Sequence, residues 1–355
     1  MIKFGLVGCG RIADRHIRSL AECEGAELTA LFDVQPERMA AVEADYVKLS
    51  GCQGELAKYT EMEQLLKDPQ VQAVIIATPS ALHAKLASEA IRSGKHVMLE
   101  KPMALSLQDA ENMISLARKH EVIVQVCHQL RYRKVMTQVK ELIESGSMGK
   151  LYLGVVSMRL QRSAVYYEAA PWRGTWEQDG GMLLNQGIHL VDLLQWFLGD
   201  GTRVFGSLQR GLLMKETEDV AAGIVNFKDG AIGMIEANTV TYPGNYDNCI
   251  TLFGEKGTVS IGGIRLDEVR KWSFSDPNVP DPVIEPAGEE HVRMYERFIA
   301  AAKDREKAVL IDGEEGKRAL ELIFALYDSA LKGQSMSIPL TSFHTEMMGD
   351  LEVGI

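Results

Sequence analysis

The 355-residue chain predicts an α/β fold: an N-terminal, doubly wound parallel sheet, then a C-terminal α+β domain built on a large, open, mainly antiparallel sheet. Three observations carry that expectation. Short apolar runs alternate with amphipathic stretches over residues 1–127, the rhythm of strand–helix–strand units. A glycine-rich turn, Gly8-Cys9-Gly10-Arg11-Ile12-Ala13, breaks the first of these runs. Beyond residue 204 the chain turns β-rich, with Asp229-Gly230 and Glu255-Lys256-Gly257 as turns between runs. Length and pattern give two domains, 1–127 and 128–355.

Ile2 to Val7 is a short apolar run, read as a buried strand. The turn after it has the G-x-G-x-x-A spacing of a dinucleotide fingerprint. Gly8 permits the tight turn, Gly10 lets backbone N–H groups approach a pyrophosphate, and Ala13 allows close helix–strand packing. The helix from Ile12 to Cys23 then points its N-terminus, at Arg11 and Ile12, toward the phosphates. A second strand, Leu28 to Phe32, ends in Asp33, 20 residues past the last fingerprint position. An acid there takes both ribose hydroxyls and repels a 2′-phosphate, so NAD is favoured over NADP. A turn or capping role before Pro36 is the plainer alternative for Asp33.

The alternation continues with helices at Pro36–Leu49, Met62–Lys67, Ala81–Ser93 and Ser106–His120. Strands fall near Lys58-Tyr59 and at Val71–Ala77, His96–Leu99 and Val122–Cys127. In such sheets ligands sit beyond the carboxyl ends of strands. Thr78-Pro79 and Glu100-Lys101-Pro102 lie there and are candidate cofactor contacts. Lys101, preceding a proline, is held extended. His83 is either structural or a border of the cofactor.

A crossing segment brings Gln129 and Arg131, which bound the substrate, with Gln129 also near the cofactor, or pack the linker. Helix Lys134–Ser145 and strand Leu151–Leu160 follow. The segment Tyr166 to Trp176 is aromatic-rich and without period. Trp172 suits a wall for a sugar or base, or with Trp176 pins a surface loop as a small-core anchor, and Arg173 suits a phosphate or carboxylate of substrate or cofactor. Gly180-Gly181 then opens a helix, letting its start approach another backbone or a ligand. At 100° per residue Asn185, His189 and Asp192 share one face, opposite Leu183, Leu190, Leu194 and Phe197. A titratable His at the centre of a polar stripe suits proton transfer near neutral pH. Candidate strands are Val204–Leu213, Val220–Phe227, Ala231–Thr239, Tyr246–Gly254 and Gly257–Ile261, a meander. Four prolines mark Ser275 to Pro286 as a loop, and helices His291–Lys303 and Glu314–Leu331 follow. Helices on one face of such a sheet leave the other needing cover, which predicts a homodimer or homotetramer.

The net charge of −11 speaks against nucleic acid and anionic membranes as partners. Five scattered cysteines, odd in number, read as free thiols of a reducing cytoplasm. The first residues enter a strand, so no signal peptide is expected, and no apolar run reaches spanning length. No His/Cys/Asp cluster has metal-ligand spacing, so no metal is expected.

Together, Gly8 to Ala13, Thr78-Pro79, Glu100-Lys101-Pro102 and Gly180-Gly181 through His189 and Asp192 resemble the glucose–fructose oxidoreductase/inositol dehydrogenase (Gfo/Idh/MocA) family. The resemblance spans essentially the whole chain. It implies NAD(P)-dependent hydride transfer at a hydroxyl of a sugar, nucleotide sugar or cyclic polyol. Lys101 would stand beside nicotinamide and carbinol, with His189 as acid/base partner. Many members carry Asp four residues before that histidine. Asn185 stands there instead and orients substrate without exchanging a proton. Asn-Gln-Gly-Ile-His preceded by Trp-Arg-Gly-Thr-Trp looks like the branch oxidising C3 of nucleotide-linked N-acetyl-amino-sugar uronates. A dehydrogenase of inositol or another polyol in the same fold, or a non-catalytic NAD- or sugar-sensing protein, are the alternatives. A sensor has no need of both Lys101 and His189.

Overall fold

A computed structural model describes residues 1–52, 54–210, 215–286, 288–304 and 307–350. The chain forms two compact units. The first comprises Met1–Ala104, Gln108–Gln129 and Gly288–Lys317, the second Leu105–Leu107, Leu130–Ala287 and Arg318–Ile355.

In the first unit six strands form one parallel sheet: β1 (Ile2–Val7), β2 (Ala26–Phe32), β3 (Ala57–Tyr59), β4 (Ala73–Ile76), β5 (His96–Leu99) and β6 (Val124–Val126). Their order, β3-β2-β1-β4-β5-β6, reverses direction between β1 and β4, the switch point at which such sheets bind dinucleotides. Helices α1 (Ala13–Glu22), α2 (Pro36–Ser50), α3 (Met62–Lys67), α4 (His83–Arg92) and α5 (Leu107–Lys119) connect the strands. Phe4, Leu6, Val7, Val74, Ile75 and Ile76 are all fully buried. A parallel sheet covered on both faces needs such unbroken apolar strands, which is why they were legible as runs.

The second unit carries α6 (Lys134–Glu144), β7 (Leu151–Arg159), the short α7 (Ala164–Glu168), a π-helical turn at Leu183–Gly187 and α8 (Ile188–Leu198). Then come β8 (Gly201–Gln209), β9 (Val220–Phe227), β10 (Ile232–Asn238), β11 (Asp247–Gly254), β12 (Gly257–Gly262) and β13 (Glu268–Phe274). After α9 (Glu289–Lys303) and α10 (Gly313–Lys332), β14 (Met336–Ser337) joins the same sheet. Its order is β13-β12-β11-β7-β10-β9-β8-β14. The sheet is two antiparallel meanders joined by β7, which pairs parallel to β10 and antiparallel to β11. The strand expected to reach Leu213 ends at Gln209, and residues 211–213 lie outside the described residues.

One face of this sheet is lined with small residues. A methyl group added at Gly154 would lie 2.7 Å from Leu198 and 2.8 Å from Leu194, and one at Gly233 3.2 Å from Leu194. At Gly206 and Gly223 it would come within 2.6 Å and 2.5 Å of Leu326. Helices α8 and α10 thus bed directly on the strands. The opposite face exposes Phe205, Ile224, Met234, Ile232 and Phe253.

The expected division after residue 127 is corrected. Helix α9 belongs to the first unit, where Tyr295 and Phe298 pack on Phe4 at 5.7 and 5.8 Å and Gln125 donates to the Met294 carbonyl at 3.1 Å. An apolar stripe predicts that a helix is buried, not which sheet it covers. Conversely, Leu105–Leu107 joins the second unit through bonds of Leu107 to Phe343 and Thr345 to Leu105.

Candidate functional site

At the strand ends of the first unit the fingerprint residues do what their spacing requires. Gly8 has φ of +98°, and a side chain there would strike the Ala77 carbonyl at 2.7 Å. Gly10 faces open space, with nothing within 4 Å of an added Cβ. Helix α1 begins with no side-chain cap, and the N–H groups of Arg11 and Ile12 just ahead of it are offered to a ligand. Asp33 is buried, one carboxylate oxygen accepting the Cys9 N–H at 2.8 Å and the other the Gln35 N–H at 2.9 Å. Each oxygen retains lone-pair capacity for a ribose hydroxyl. The Cys9 thiol is pushed up to about 12, first by burial and then by Asp33, and stays protonated. Thr78 presents a buried hydroxyl oxygen, without a partner among the described residues, just past the end of β4. These residues fit a dinucleotide.

His83 takes the structural alternative and acts as a brace. It is 1 % exposed, with Nδ1 2.7 Å from the Pro102 carbonyl and Nε2 2.9 Å from the Thr78 carbonyl, so it ties together the segments after β4 and β5. Burial lowers its pKa. Glu100 is likewise turned inward. It accepts the Lys101 N–H at 3.2 Å and contacts His16 Nε2 at 3.1 Å, while His16 Nδ1 meets Tyr295 Oη at 2.7 Å. His16 and Tyr295 escaped sequence reasoning because nothing local marks a helix histidine as a strand-end support. Lys101, next to Glu100, and Gln129 are half-buried.

In the second unit the polar stripe is split. The wide π turn carries Asn185 and Gln186, and α8 carries His189; all three are partly exposed. Such turns recur at functional sites. Asp192 is not on that open face. It is 1 % exposed, and its carboxylate binds Arg131, also 1 % exposed, through Nε at 2.8 Å and Nη2 at 2.7 Å. Arg131 thus takes its packing alternative, and Asp192, which helical spacing put on the face of His189, forms with it a buried fork that fastens α8 to the Gln129–Tyr132 turn.

Gly180 and Gly181 do serve close approach, but to side chains. At Gly181, φ +103°, a Cβ would sit 2.4 Å from Tyr327 Oη and 2.7 Å from Glu218 Oε2. Glu218, fully buried, accepts the Leu183 N–H at 2.8 Å and the Tyr327 hydroxyl at 2.6 Å, capping the π turn from outside the helix. Burial raises its pKa, against these hydrogen bonds.

Asn185 hydrogen-bonds through Nδ2 to Asp179, whose other oxygen accepts the Gly174 N–H at 2.8 Å. Asp179 was missed; an acid directly before the double glycine was the available signal. Trp172 and Arg173 are half-buried in the aromatic segment. The Arg173 guanidinium lies 4.4 Å from the Tyr166 ring centroid and 5.5 Å from that of Trp172. Trp176 is buried against Tyr327 at 5.4 Å and anchors the segment.

Residues 2–128 match the oxidoreductase family with an NAD-binding Rossmann fold, GFO/IDH/MocA, and residues 136–260 match the GFO/IDH/MocA C-terminal domain. The chain belongs to this family. It is an NAD-binding oxidoreductase. The chain is 35 % identical to a WlbA dehydrogenase from Bordetella pertussis, solved with NADH and UDP-GlcNAcA, with a TM-score of 0.87 over 96 % of this chain and 98 % of that one. WlbA from Chromobacterium violaceum, in complex with the same two molecules, is 34 % identical with a TM-score of 0.83 over 96 % of each chain. A myo-inositol 2-dehydrogenase from Thermotoga maritima is 27 % identical over 348 residues, 95 % of this chain and 98 % of its own. Among the described residues no helix is long and apolar enough to cross a membrane.

Proposed function

We propose that the protein oxidises a ring hydroxyl, at C3, of a nucleotide-linked amino-sugar uronate, with Lys101 and His189 serving the reacting carbinol. The observation that carries this reading is the 35 % identity, over nearly the full length of both chains, to a dehydrogenase solved with NADH and UDP-GlcNAcA. Bound NAD supplies the hydride acceptor. Gly8, Gly10 and the N–H groups of Arg11 and Ile12 hold its pyrophosphate, and Asp33 its ribose. Thr78, Pro79 and Gln129 border it. His189 takes the hydroxyl proton as general base. The Lys101 ammonium donates hydrogen bonds to the oxygen as negative charge grows there. Asn185 cannot exchange a proton and orients the sugar, its amide steadied by Asp179. Trp172 and Arg173 bound the substrate on the aromatic segment.

The test is absorbance at the NADH band on adding nucleotide-sugar uronates, free sugars, inositols or linear polyols with NAD. A rise with the uronates alone supports the reading. A rise with inositols alone replaces it by the polyol dehydrogenase that the Thermotoga maritima relative suggests. NADH already present in the purified protein, and unchanged by substrate, indicates retained cofactor that needs a carbonyl acceptor. Binding of NAD without turnover of any class favours a sensor.

The sheet's open face supports a homo-oligomer. Phe205, Ile224, Met234, Val155 and Thr251 form one row across five strands, and Ile232, Leu153 and Phe253 a second. A second copy covers such a face economically. A monomeric mass by light scattering refutes this. The five free thiols suit a reducing cytoplasm, which cell fractionation tests.

A further inference from the structure

Arg162 and Arg173 flank one tyrosine. Their guanidinium carbons lie 5.2 and 4.4 Å from the centroid of the Tyr166 ring. The two like charges are therefore within about 10 Å of each other, close enough to repel in a partly desolvated setting. Among the described residues neither pairs with a carboxylate. Arg173 donates from Nη1 to the Tyr166 carbonyl at 2.8 Å, and Arg162 from Nη1 to the Gln161 carbonyl at 2.7 Å and Asn245 Oδ1 at 3.2 Å. Arg173 Nε is shut off from solvent without an acceptor. On both arginines Nη2 has no acceptor within the described protein. Glu168, on the same short helix as Tyr166, is exposed and pairs with neither.

A guanidinium stacked on an aromatic face keeps its N–H groups in the plane, directed past the ring edge. Two guanidinium groups held over one ring, each with an Nη2 that has no acceptor among the described residues, match an oxyanion able to take several charge-assisted hydrogen bonds. The ring also connects them to the site already described. Tyr166 Oη lies 3.0 Å from Gln186 Nε2, and Gln186 neighbours Asn185 in the π turn. The cluster thus stands beside the sugar-orienting residue, where a non-reacting part of the substrate would extend.

We propose that Arg162 and Arg173, held over the Tyr166 ring, form a clamp for the diphosphate of the substrate. This rests on the reading of the substrate as a nucleoside-diphosphate sugar. A diphosphate carries about two negative charges on two tetrahedral centres and engages both forks, whereas one carboxylate engages one.

The experiment measures binding of UDP and, separately, of free glucuronate to the full-length protein by calorimetry, together with nucleotide-sugar turnover. The variants are Arg162→Ala, Arg173→Ala, the charge-retaining Arg173→Lys, and Tyr166→Leu. Thermal melting and NADH fluorescence check that each is folded. Each alanine variant weakens UDP binding roughly ten- to a hundredfold and raises KM for the nucleotide sugar by a similar factor, with a much smaller change in kcat. Lysine at 173 falls between, because it keeps the charge and loses the fork. UDP affinities within twofold of the parent in both alanine variants overturn the clamp. Loss of glucuronate binding with UDP unaffected overturns the diphosphate assignment in favour of the uronate carboxylate. A parent protein that neither binds UDP nor turns over any nucleotide sugar overturns the substrate reading and the clamp with it; turnover by the parent with insensitive variants overturns the clamp alone.

Discussion

Replacing Asp192 by alanine tests whether the Arg131–Asp192 fork is a fastening or a substrate contact. Both residues are 1 % exposed and the carboxylate takes two N–H groups of Arg131. Unit charges about 4 Å apart attract by about 4 kcal/mol at an effective dielectric of 20. Each ion also lost several kcal/mol of hydration on burial, so the intact pair is close to break-even against apolar side chains. Removing one partner keeps the other's desolvation and deletes the attraction, which costs about 3–5 kcal/mol. Asp192→Ala is expected to lower the unfolding free energy by that amount. Arg131→Met with Asp192→Leu is expected within about 1 kcal/mol of the parent, or above it. Urea unfolding followed by tryptophan fluorescence reads both, since the Trp196 ring lies 5.4 Å from the Arg131 guanidinium. Coincidence with circular dichroism establishes that one transition is being measured. A loss below 1 kcal/mol for the single variant, or equal losses for single and double variants, refutes the reasoning.

Three further outcomes follow from the same structure. Lys101→Ala lowers kcat roughly 10²-fold or more with NADH affinity within about twofold; equal turnover rules out the mechanism. Gly181→Ala pairs a left-handed backbone with a Cβ 2.4 Å from Tyr327 Oη, costing about 2–4 kcal/mol and read as a lowered melting temperature. An unchanged melting temperature removes the claim that this glycine is required. Glu218 has a folded pKa raised by burial above the ordinary 4.5. The folded state therefore holds the proton to higher pH, and the group's contribution is full below about 4.5 and lost as pH rises through the folded pKa. Glu218→Gln flattens that part of the stability–pH curve, and superimposable curves for parent and variant contradict it.

The first unit was legible because its strands are buried on both faces and stay apolar from end to end, as Val74-Ile75-Ile76 does, and because Gly8 and Asp33 keep a fixed spacing. The second unit was legible only where β-turn chemistry repeats. Strand β13, Glu268 to Phe274, lies at the sheet edge with mostly exposed side chains and carries no apolar alternation. The parallel pairing of β10 with β7 is a long-range choice that no local signal encodes. Helical spacing put Asn185 and His189 on one face, and it enrolled Asp192 with them. A helical wheel counts angle and cannot see that Arg131 waits on one part of the face. Glu218 and His16 act through partners distant in sequence, so their types alone gave no warning.

The glycine-lined face of the large sheet has a bearing on catalysis at a distance. Gly154 and Gly233 set the height at which the helix bearing His189 rests, as a machinist's gauge sets a tool. A methyl at Gly154 would meet two leucine carbons at 2.7 and 2.8 Å, and restoring ordinary contact lifts α8 by roughly 1 Å. Under the role proposed for His189, an offset of that size at the reacting group costs on the order of 10²-fold in rate. The imidazole's position is therefore written partly in residues that contribute nothing but the absence of a side chain.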